Sequence, residues 1–128
     1  MTNLEKLTKK VNERHPHAVM VPEEAAMGIA SEAGEYLQLV RKWAYEEQPF
    51  DEGEAIVELA DVLHYVELAC HGHGITLDDL AGINVAKIEA REKGEMRLFD
   101  RVMHSVGKGM GLDEALDELE SLIAVVSR

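Results

Sequence analysis

Cysteine is almost missing from this chain: Cys70 stands alone, so no internal disulfide framework can form, which fits a reducing cytoplasm. The first ten residues, MTNLEKLTKK, hold no apolar signal core, and no hydrophobic run approaches membrane-spanning length. The expectation is a cytoplasmic protein without a membrane partner. Positive charge is scarce as well, with 13 Lys and Arg against 25 Asp and Glu, a formal net charge of −12. A nucleic-acid polymer needs a basic face, so general DNA or RNA binding is excluded as an expectation. A nucleotide is still a possible ligand if metal ions and a few local cations neutralise its phosphates. Alternating β-branched runs are missing too, so almost nothing reads as a strand. No internal repeat or low-complexity tract is present.

What is present reads as helix. Hydrophobic residues make up 46% of the 128, enough for a single domain with one core. Leu4, Leu7 and Val11 recur at helical spacing and predict a short amphipathic helix over residues 2–14, broken by His15, Pro16 and His17. Pro22, followed by Glu23 and Glu24, suits the first turn of a second helix running to about Glu47 and ended by Pro49. A third follows Gly53 and stops at His71 to Gly74. Thr76 reads as the N-cap of a fourth reaching about Lys93. Residues 95–106 form another, and Gly107, Gly109 and Gly111 break the chain before an amphipathic tail from Leu112 to Val126. GKGMG lacks Walker spacing and a preceding strand, so it reads as a linker. The tail could fold back or bind a second subunit, and the pattern does not choose. The fold class is therefore all-α: an antiparallel bundle of about four core helices within residues 22–94, with an extra C-terminal amphipathic helix in residues 95–128.

Two acidic pairs stand out. Glu32 and Glu35 lie three residues apart in the second helix, Glu58 and Asp61 three apart in the third, so each pair shares one helical face. Other pairs, such as Asp51/Glu54 and Glu114/Asp117, have this spacing and read as solvated surface. The two chosen pairs differ in their neighbours. Gly28 and Leu39 share the stripe of Glu32 and Glu35, bordered by Ala25, Ile29, Tyr36 and Trp43. The third helix is apolar nearly all round, as a central helix would be, with Glu54, Glu58, Asp61 and Tyr65 as its main polar stripe. That stripe could instead be an outer face. If the pairs converge, four carboxylates need a cation, and the hard oxygen-seeking ion available in cells is Mg²⁺.

Cations that would complete a phosphate site are Lys42, seven residues after Glu35, and the Asn84, Lys87 and Arg91 face of the fourth helix. Ion pairing with Glu92 or Glu95 is the plainer account of that face. Trp43 could stack a base or simply sit in the core. His71 and His73 after Cys70 are explained by helix-end chemistry, and no second cysteine completes a zinc site.

SEAGEYLQLVRKW, EAIVELADVLHYV and INVAKIEAREKG, in that order, resemble the MazG-like members of the all-α nucleoside triphosphate pyrophosphatase superfamily, whose pattern is EExxE, a spacer, then ExxD. The likeness spans about Ala26 to Gly94. It implies an oligomeric bundle, a homodimer or homotetramer, that uses Mg²⁺ (Mn²⁺ substituting) to split a nucleoside triphosphate into monophosphate and pyrophosphate. The resemblance assigns metal-ligand and catalytic roles to Glu32, Glu35, Glu58 and Asp61, and substrate contacts to Asn84 and Lys87. Lys42, Trp43 and Arg91 are added on the spacing argument. Ser31 stands where the family has its first glutamate, which puts one acidic contact in doubt. Phosphoribosyl-ATP pyrophosphohydrolase, from the same superfamily, is the related alternative. A non-catalytic helical interaction protein is the alternative of a different class.

Overall fold

The computed structural model describes residues 1–16 and 21–126. His17, read above as part of the break after the first helix, lies outside the described residues. Six α-helices and no strand are found among the described residues: α1 Asn3–Arg14, α2 Val21–Tyr45, α3 Glu52–His73, α4 Leu77–Glu92, α5 Met96–Gly107 and α6 Leu112–Val126. The all-α expectation holds.

Local chemistry sets most of the boundaries. Thr2 caps α1 by accepting a hydrogen bond from the Glu5 N–H at 3.1 Å. Helix α2 ends at Tyr45, two residues short of the expected Glu47, because Glu47 adopts a left-handed φ of 54° ahead of Pro49. Helix α3 starts earlier than Gly53 suggests, since the Asp51 side chain accepts from the Glu54 N–H at 3.0 Å and draws Glu52 and Gly53 into the first turn. Gly74 closes α3 at a φ of 68°, a conformation glycine adopts without a Cβ clash.

The chain divides into two compact units, Met1–Leu77 and Asp78–Arg128. In the first, α2 and α3 form a helical hairpin and α1 packs on α3. Val11, Val21, Ala25 and Leu68 make its buried core, with Leu7, Tyr65 and Ala69 against it. The end of α1 is tied down twice: a His71 ring nitrogen donates to the His15 carbonyl at 2.7 Å, and the His15 imidazole lies 3.7 Å from the Glu24 carboxylate. In the second unit Ala90 of α4, Phe99 and Val102 of α5, and Ala115, Leu119 and Ile123 of α6 form one core. The tail therefore folds back within its own unit.

The expectation of α3 as a central helix covered on all sides needs correction. Glu67, Leu68 and Cys70 are buried in its C-terminal half, where α1 and α2 both reach it. From its first turns to its middle, Ile56, Val57, Leu59 and Leu63 are exposed. Apolar residues all round a helix state that it wants cover; they do not state that its own chain supplies it.

Candidate metal and phosphate site

Antiparallel pairing of α2 and α3 is what assembles the site. Moving back along α2 from Glu35 to Glu32 to Gly28 corresponds to moving forward along α3 from Glu58 to Asp61 to Tyr65. At Gly28 the helices are closest: a Cβ there would overlap the Tyr65 ring, so only glycine fits this face. One turn further along α2, one carboxylate oxygen from each of Glu32, Glu58 and Asp61 lies within 4.8 Å of the others. Glu35, on the same face of α2, lies near enough for its charge to act on Glu58.

These carboxylates are poorly compensated. Oε2 of Glu32 and Oε2 of Glu58 are shielded from solvent, and no donor among the described residues reaches either. Among the described residues no Lys or Arg pairs with any of the four acids. Two ionised carboxylates have no hydrogen to share, so a proton is drawn into the cluster. Glu58 carries it: its pKa is raised from 4.5 to about 7, first by hydrogen bonding with Glu32, then with Glu35, then by desolvation and by the charges of those two neighbours. A divalent cation would meet the same need with more charge, and an all-oxygen donor set suits a hard ion such as Mg²⁺.

Beside the carboxylates runs an open groove of about 520 Å³, lined by Glu23, Glu24, Met27, Gly28, Ser31 and Tyr65. Its middle lies one helical turn before Glu32 on α2 and one turn after Asp61 on α3, about 6 Å along the hairpin axis. Ser31 thus faces a cavity adjoining the acids. Sequence reasoning placed Gly28 and Tyr65 on the right stripes but did not join them. The signal was available, since each sits four residues from an acid in the direction that antiparallel pairing brings together.

The expected substrate contacts lie on other turns and elements of the chain. Lys42 and Trp43 lie about two turns beyond Glu35, near the end of α2 away from the groove. Trp43 is 55% exposed, and its ring sits 5.5 Å from that of Phe50 across the hairpin loop. It is therefore no core residue. Asn84, Lys87 and Arg91 follow one another along α4, in the second unit. His71 is engaged with the His15 carbonyl, as its place at a helix end suggested.

Comparison with protein-family models, with curated proteins and with solved structures gives no match for this chain.

Proposed function

We propose that this chain is a Mg²⁺-dependent nucleoside triphosphate pyrophosphohydrolase of the MazG-like kind. The observation that carries the reading is the convergence of Glu32, Glu58 and Asp61 within 4.8 Å without any basic side chain among the described residues paired with them. The same residues carry the sequence resemblance, so pattern and geometry point to one place.

In this reading Glu32, Glu58 and Asp61 hold the metal, with Glu35 fixing Glu58 from the neighbouring turn. Bound there, Mg²⁺ supplies charge neutralisation and polarisation of phosphate oxygens. The carboxylates orient a water molecule toward the bond between the α- and β-phosphates and take its proton. The adjoining groove, at about 520 Å³, falls within the ~300–1,000 Å³ typical of small-molecule sites and takes the nucleoside. Ser31 contributes a hydroxyl to that groove where the family has a carboxylate.

Pyrophosphate release from a panel of ribo- and deoxyribonucleoside triphosphates tests the reading. Turnover that needs both Mg²⁺ and Glu58 supports it. Release from phosphoribosyl-ATP alone would move the assignment to the related enzyme.

A further inference from the structure

We infer that the notch between α1 and α3, lined by Leu7, Lys10, Glu13, Arg14 and His64, is a binding site for a phosphate or pyrophosphate group. It encloses about 280 Å³, just under the ~300–1,000 Å³ of sites for drug-sized ligands, which suits a small anion better than a whole nucleotide. Lys10 and Arg14 stand four residues apart on α1 and so rise from one face. Across from them α3 presents His64, whose ring is set edge-on to Tyr65 with centroids 5.2 Å apart. Leu7 gives the notch an apolar wall that is continuous with the buried core.

The charge pattern distinguishes this notch from an ordinary solvated helix face. Acids outnumber cations 25 to 13 in the chain, yet no acid pairs with Lys10 or Arg14 among the described residues. Glu13 also lines the notch and lies 3.9 Å from Lys9 on the exposed face of α1. Against that one carboxylate the notch sets a guanidinium fork, an ammonium and an imidazole. All three can donate hydrogen bonds, and together they match an oxyanion with several acceptor oxygens. The site is independent of the carboxylate cluster, which faces α2 and would take a cation; it stands whether or not the chain hydrolyses nucleotides.

The test is a titration of the full chain, ¹⁵N-labelled at histidine, with inorganic phosphate, pyrophosphate and AMP, in EDTA and against a sodium chloride control of matched ionic strength. His64 signals are assigned from their loss in His64→Gln. The expected result is a saturable His64 shift absent with chloride, an affinity lowered at least ~10-fold in Lys10→Gln/Arg14→Gln, and unchanged binding in Glu58→Gln. Helical circular dichroism verifies that the exposed double substitution leaves the fold intact, and Lys10→Glu alone gives a second reading. Tighter binding of AMP than of the inorganic ions would identify the ligand as a phosphomonoester; the reverse order would identify free phosphate or pyrophosphate. An unmoved His64, a shift that chloride reproduces, or an affinity indifferent to Lys10 and Arg14 overturns the proposal.

Discussion

Glu58 is the residue on which the electrostatics turn. Its folded pKa of about 7 exceeds the ordinary 4.5, so between those values the folded protein retains a proton that the unfolded chain has released. Stability from this group therefore falls as pH rises through that window, and the loss is complete above about 7. Glu58→Gln keeps the shape of the protonated carboxyl without the titration. In EDTA the wild-type melting temperature should drop relative to the variant as pH rises through the window, with Mg²⁺ restoring it in the wild type. Parallel melting curves for the two proteins would contradict this. The spacing of the acids was legible from sequence because i and i+3 share a helical face whatever the tertiary fold. The shared proton was not legible, because it depends on distances between two helices.

The elements owe their register to small residues as much as to acids. Gly28 lies against the Tyr65 ring, whereas Gly34, also inside α2, has open space around it. Alanine favours a helix over glycine by roughly 0.5–1 kcal/mol, so Gly34→Ala should stabilise the protein by about that amount. Gly28→Ala should instead destabilise it by about 1–3 kcal/mol, since the ring must move. Denaturant unfolding of the two variants measures both; equal effects would mean that the hairpin is not closely packed at Tyr65. Helix ends were largely readable, since Pro49, Gly74 and the glycines after Val106 act locally on the backbone. The Asp51 cap was passed over in favour of Gly53, and its signal was an acid three residues before Glu54.

For the molecule as a whole, exposed apolar surface is the unmet demand. Ile56, Leu59 and Leu63 fall at i, i+3 and i+7 on α3, are 43–57% exposed, and form a stripe separate from the face that carries Glu58. Covering each would gain about 1 kcal/mol, and an identical stripe on a second copy is the simplest cover. Sedimentation should accordingly show a dimer or larger species that Leu59→Lys shifts toward monomer; a wild-type monomer at micromolar concentration would remove this expectation. Composition had indicated how apolar α3 is, but a single chain's pattern does not say what covers it.

The proposed reaction has the four acids on α2 and α3 organise metal-dependent cleavage between the α- and β-phosphates. Phosphorus NMR of a nucleoside triphosphate incubated with the protein tests it directly, because it separates monophosphate plus pyrophosphate from diphosphate plus phosphate. The expected outcome is the first pair of products, formed with Mg²⁺, lost in EDTA and lost in folded Glu58→Ala. Diphosphate and phosphate as the products, or turnover that survives Glu58→Ala, would contradict it.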